Sequence, residues 1–110
     1  MRCVTIYRWN PQTFRACAKR WITLFDGTAP QAVQDGLTKV KTIALEMSAP
    51  SQMIFQIWEV ADEDLVDAMP VGIYLQEVFD VETHVVQTTQ DWNKAWDKLE
   101  LFDNVPAPEW

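Results

Sequence analysis

Residues 48–60 read SAPSQMIFQIWEV. The first four are turn formers. The rest alternate, with Met53, Phe55 and Ile57 on one face and Gln52, Ile54, Gln56 and Trp58 on the other, the period of two expected of a strand. Upstream, Leu37 to Met47 is β-branched enough for a second strand, although its alternation is loose. The short turn joins the two as an antiparallel hairpin.

Outward from this hairpin the chain carries a strand and a helix on each side. Arg2 to Trp9 (RCVTIYRW) alternates, Val4 and Ile6 against Cys3, Thr5, Tyr7 and Trp9. Asn10 reads as an N-cap with Pro11 in the first helical position. Phe14, Cys17, Ala18, Trp21, Ile22 and Phe25 then form an apolar stripe, with Arg15, Lys19 and Arg20 on its polar side, before Asp26-Gly27 stops the helix. Thr28 to Asp35 reads as a short turn begun by Pro30.

On the other side, Asp62-Glu63-Asp64 opens a helix with acids where its dipole favours them. Leu65, Val66, Met69, Ile73 and Val78 continue its apolar face, while Pro70 and Gly72 predict a kink or two shorter helices. Asp80 to Thr88 is a fourth strand, Val81, Thr83, Val85 and Gln87 opposing Glu82, His84, Val86 and Thr88. A C-terminal helix is expected from about residue 89 to Leu101, carrying Trp92, Trp96 and Leu99, then an extended tail over 103–110. Residues 1–102 thus form one domain, as a chain of 110 residues allows.

Composition excludes several classes. Apolar residues make up 48% and charged residues 23%, a globular balance. No apolar run approaches the roughly 20 residues needed to cross a bilayer. The start, Met1-Arg2-Cys3-Val4, has no long apolar core, so no secretory leader is expected and a cytoplasmic location is. Cys3 and Cys17 match no metal or redox spacing and read as buried free thiols. Net charge is −7, divided between a basic stretch over 1–41 and a strongly acidic one over 42–110. An acidic surface repels nucleic acid, so no nucleic-acid partner is expected, and the asymmetry is compatible with self-association.

The order strand, helix, strand, strand, helix, strand is the split βαβ plan of ferredoxin-like domains. Together with the Phe79-Asp80-Val81-Glu82 join it resembles the dimeric α/β-barrel group of that fold. It is similar, more narrowly, to an uncharacterised family of short bacterial and archaeal proteins. Their acidic start to the second helix is matched by Glu59 to Asp64, and their strand running straight into a C-terminal helix by Val85 to Trp96. The resemblance implies an α+β fold, βαββαβ with an antiparallel four-stranded sheet plus a C-terminal helix. It further implies that one sheet face lies under helices while the other meets a second subunit, giving a homodimer through the sheet face.

With Val4, Ile6, Met53, Phe55, Ile57, Val81 and Val85 under the helices, the opposite face is expected to gather Thr5, Tyr7, Trp9, Gln56, Trp58, Glu82 and His84. Apolar walls with a few polar groups are the make-up of a small-molecule cavity, here between the two sheets. Tyr7, Trp9, Gln56, Trp58 and Glu82 are the candidate ligand-binding residues. His84, the single histidine, is the candidate catalytic base beside Glu82. The bland alternative is that His84 is a surface or interface residue and the aromatics fill a dimer core. No cofactor or metal is expected, because no second histidine or suitably spaced cysteine accompanies His84. Three functions fit: a dimeric small-molecule-binding module, a cofactor-independent monooxygenase-, cyclase- or isomerase-like enzyme using His84, or an acidic protein-interaction module.

Overall fold

The computed structural model describes residues 1–87 together with 90, 91, 94, 95 and 98. The strands are β1 (Arg2–Arg8), β2 (Lys41–Ser48), β3 (Met53–Glu59) and β4 (Asp80–Val86). The helices are α1 (Phe14–Asp26), α2 (Gln31–Leu37) and α3 (Leu65–Gln76), the last preceded by a 3₁₀ turn over Asp62–Asp64. One antiparallel sheet results, in the order β2-β3-β1-β4. This α+β arrangement is compatible with a ferredoxin-like fold. The expected C-terminal helix and the tail over 103–110 fall largely outside the described residues.

Local chemistry sets the element boundaries. Asn10 does not cap α1 directly. Its Oδ1 accepts from the Gln12 and Thr13 amides (2.9 and 3.0 Å), and Thr13 Oγ1 accepts from the Asn10 amide (3.0 Å). This reciprocal turn occupies residues 10–13 and delays the helix to Phe14. Gly27, at φ 77°, supplies the left-handed residue that ends α1. The turn expected after Pro30 becomes α2, which runs through Gly36 to Leu37. α3 is one uninterrupted helix through Pro70 and Gly72, not a kinked pair. Pro70 sits in its second turn.

The register decides which residues share a face. Thr5 pairs with Gln56 and Thr83, and Tyr7 with Ile54 and Val81. These lie on the helix-covered side, where Thr5, Tyr7 and Ile54 are buried. Val4 pairs with Ile57 and His84, and Ile6 with Phe55 and Glu82, so these six lie on the opposite side. The expected assignment of Val4, Ile6, Met53, Phe55 and Ile57 to the helix side is therefore reversed, whereas Val81 lies under the helices as expected. Both faces of β1 and β3 are rich in apolar groups, so alternation separates the faces without saying which one the crossovers cover.

The core is Tyr7, Cys17, Ile54, Leu75 and Phe79, with Trp9, Trp21, Leu24, Val71, Val78 and Val81 packed around it. Tyr7 meets Trp21 and Phe79 edge-on, with ring centroids 5.6 and 5.7 Å apart. Cys3 and Cys17 are buried and unbridged, and the Cys17 thiol donates to the Val78 carbonyl (3.2 Å). Arg20, expected on the solvated side of α1, instead ties α1 to α3. Its guanidinium donates to the Tyr74 carbonyl and to Glu77 (2.8 Å each) and lies 4.2 Å from the Tyr74 ring centroid. Among the described residues no helix is long and apolar enough to cross a membrane.

A candidate binding cleft between sheet and helix

α3 faces the sheet with Leu65, Ala68, Met69, Gly72, Ile73 and Gln76, spaced i, i+3, i+4, i+7, i+8 and i+11. Two of these six are small. A Cβ added to Gly72 meets nothing within 4 Å. The helix therefore stands off the sheet and leaves a cleft of about 320 Å³, closed at one end by Leu37 and Val40. This volume is at the lower end of the range for small-ligand sites.

The floor is polar. Tyr7 donates its hydroxyl hydrogen to Gln56 Oε1 (2.7 Å), and Gln56 Nε2 donates to Thr42 Oγ1 (2.9 Å). Trp58 Nε1–H donates to Thr5 Oγ1 (2.8 Å), which lies 2.9 Å from Thr83 Oγ1. Two short chains thus run across all four strands beneath an aliphatic roof. Strands whose only duty was to pack a helix would carry valine and isoleucine here, with no polar group to satisfy.

Among the described residues Tyr7 is the only ionisable side chain lining the cleft. Burial pushes its phenol pKa up to about 12, outweighing a hydrogen bond to Thr5 that acts the other way. At neutral pH it is an uncharged donor and acceptor.

The structure divides the seven residues expected to share a face. Thr5, Tyr7, Gln56 and Trp58 are brought together in the cleft. Trp9 lies outside it, at the start of α1, with its ring 6.2 Å from Phe14. Glu82 and His84 sit on the far side of the sheet, beside Ile6 and Val4. There the His84 ring donates from Nε2 to Glu82 (2.8 Å), and the pair is open to solvent, His84 at 60% exposure. This hydrogen bond, more than the charge of Arg8 3.5 Å away, holds the Glu82 carboxyl below its ordinary pKa. His84 and Tyr7 thus cannot act on one molecule within one subunit. The strand reading of β4 was right in its two faces; the reversal of β1 and β3 moved the aromatic groups away from the histidine.

Thr42, Thr83 and the α3 wall were not foreseen as site residues. The spacing of Ala68 and Gly72 on an otherwise apolar helix face was a legible signal for the wall. Nothing local marked the two threonines, because their role depends on which strands are neighbours.

A wider depression, about 680 Å³, lies at the sheet end near Met1, Arg2, Lys41, Glu59 and Asp64. Its charges answer one another: Arg2 holds Glu59 (2.6 Å), Lys39 approaches Asp64 (3.7 Å), and the N-terminal amine approaches Asp62 (3.6 Å). Arg2 hydrogen-bonding keeps the Glu59 carboxyl below its usual range. With three of its cations already held by carboxylates, it makes a weaker ligand site than the cleft. Among the described residues, no group of three or more histidine, cysteine or acidic side chains is arranged to hold a metal ion.

Comparison with protein-family models, with curated proteins and with solved structures finds no match to this chain.

Proposed function

We propose that this chain is a small-molecule-binding module whose ligand enters between α3 and the sheet. The observation that carries this reading is the polar floor, six hydrogen-bonding side chains spread over four strands inside a cleft whose other described lining is apolar except for Gln76. A binding role is favoured over acid–base turnover because Tyr7, the one ionisable group among the described lining residues, has its phenol pKa pushed up to about 12 and is neutral at physiological pH. The alternative enzyme using His84 lacks support from geometry, since that side chain faces away from the cleft. Titration of isotope-labelled protein with small uncharged aromatic compounds tests the proposal by NMR. Shifts are expected at Thr5, Gln56, Trp58, Gly72 and Thr83, unchanged in His84→Ala and lost in Gly72→Leu. Shifts scattered over the surface, or persisting in Gly72→Leu, would refute the cleft as the site.

The same proposal includes a homodimer formed through the other sheet face, in the manner of a dimeric α/β barrel. Val4, Ile6, Phe55 and Ile57 form an aliphatic and aromatic strip there that no described helix covers, and each is only partly buried. The strip's flanking charges are paired within the chain, Arg2 with Glu59 and Arg8 with Glu82, so a second copy meets little like-charge repulsion. Burying one such side chain contributes about 1.5–3 kcal/mol. Sedimentation at micromolar concentration should give twice the chain mass, and Phe55→Asp should give a folded monomer. A wild-type chain that stays monomeric would rule out this part of the proposal.

A further inference from the structure

Resting on the cleft as the binding site, we infer the chemical class of its ligand. It is an uncharged molecule with an apolar body and a hydrogen-bond-accepting oxygen, a ketone, lactone or quinone carbonyl, and Gln56 is the residue that reads this oxygen.

Charge is decided first. Among the described residues no ionised side chain lines the cleft, so a ligand carboxylate, phosphate or ammonium would surrender its hydration with no described charge opposite to replace it.

Polarity is decided by following the hydrogens. The Tyr7 hydroxyl commits its hydrogen to Gln56 Oε1, which orients the amide and sends Nε2 toward Thr42. An amide nitrogen has two hydrogens. Thr42 takes one, and no other described residue takes the second. On the second chain, Trp58 donates into Thr5 Oγ1. Thr5 is 2% exposed, and its hydrogen has two acceptors within reach, Thr83 Oγ1 and the Tyr7 hydroxyl oxygen. Thr83, itself exposed, can give or take a hydrogen bond at the cleft rim.

Both chains thus run outward from the central strands and end in hydroxyls that can donate. The hydroxyls of Thr42 and Thr83 can turn and accept instead, but an N–H cannot change its role. Gln56 Oε1 already has one partner, whereas its remaining N–H has none, and an unmet N–H is the costlier of the two to enclose. A carbonyl oxygen placed over Gln56 meets that need. The apolar remainder of the ligand then lies against Trp58, Met69, Ile73 and the gap above Gly72.

Three probes of one shape test this: 2-acetylnaphthalene, 2-ethylnaphthalene and 2-naphthoate. The ketone is expected to bind about 2- to 12-fold tighter than the hydrocarbon, the range one net hydrogen bond supplies, and to shift the Gln56 side-chain amide resonance. The carboxylate is expected to bind weakest of the three. Gln56→Leu should lower ketone affinity to that of the hydrocarbon while leaving the hydrocarbon's own binding in place. Equal affinity of ketone and hydrocarbon for the wild-type protein, or tightest binding of the carboxylate, overturns the ligand class while leaving the cleft standing. Failure of all three probes to bind overturns the cleft reading itself. The wild-type comparison decides the question even where Gln56→Leu does not fold.

Discussion

Tyr7 has three duties at once: its ring packs in the core, its hydroxyl orients Gln56, and its burial keeps it neutral. A phenol whose pKa is raised from 10 to about 12 in the folded state binds its proton more tightly there than when unfolded. The associated stability is fully present below pH 10 and is lost as pH rises toward 12. Wild-type protein should lose on the order of 2–3 kcal/mol more than Tyr7→Phe across that interval, measured by urea unfolding at each pH. Equal losses in the two proteins would show that Tyr7 is not the group responsible. The two glycines of the helical layer differ in the same physical terms. A Cβ at Gly36 would lie 2.8 Å from the Asp67 carbonyl and 3.0 Å from Val71 Cγ2, so Gly36→Ala must push α2 away from α3. A loss of about 1–3 kcal/mol is expected. Gly72 has open space and ordinary helical backbone, so Gly72→Ala should gain about 0.5–1 kcal/mol. Unfolding midpoints that move in the same direction for both would contradict this reading of the two sites.

At the scale of elements, α3 is held by one end and its neighbours. Leu75, 1% exposed, anchors it in the core near Phe79, and α2 packs closely against it through Gly36. Leu75→Ala should cost 2–5 kcal/mol, the usual range for a fully enclosed leucine. Toward the cleft, by contrast, Met69 and Ile73 remain more than half exposed, so Ile73→Ala should cost far less. The strands differ in a similar way. β1 and β3 are paired on both sides, while β2 is an edge strand with mostly exposed side chains. Amide exchange is expected to be slowest in β1 and β3 and faster in β2. Slow exchange along the outer edge of β2 would instead indicate that copies join edge to edge, and would count against a face-to-face dimer.

At the scale of the whole molecule, the sheet separates two surfaces with different chemistry. One side holds a neutral polar floor under helices, and the other an aliphatic strip with paired charges at its ends. If the strip is the dimer interface, the midpoint of thermal unfolding rises with protein concentration, because dissociation is coupled to unfolding. A midpoint independent of concentration over a hundredfold range would argue for a monomer. The His84–Glu82 pair belongs to this second surface.

The alternation of residues 2–9, 52–60 and 80–88, the turn at 48–51 and the glycine stop at 27 were enough to place four strands, the first helix and the antiparallel hairpin. These are local properties: each depends on neighbours within a few residues, so the chain carries them wherever it goes. Helix boundaries moved where side chains made turns of their own, as at Asn10 and Thr13. The division of Thr5, Tyr7, Gln56 and Trp58 from Glu82 and His84 was beyond local reading. A strand shows its two faces in its own sequence, but the face that meets helices is set by crossovers and by pairing with strands distant in the chain. Here no described helix covers the more aliphatic face, and the hydrogen-bonding face lies toward α3. Hydrophobicity alone favours the reverse; only the tertiary structure, by bringing Thr42, Gln56, Tyr7, Thr5 and Thr83 side by side, decided that the polar groups would answer one another beneath α3.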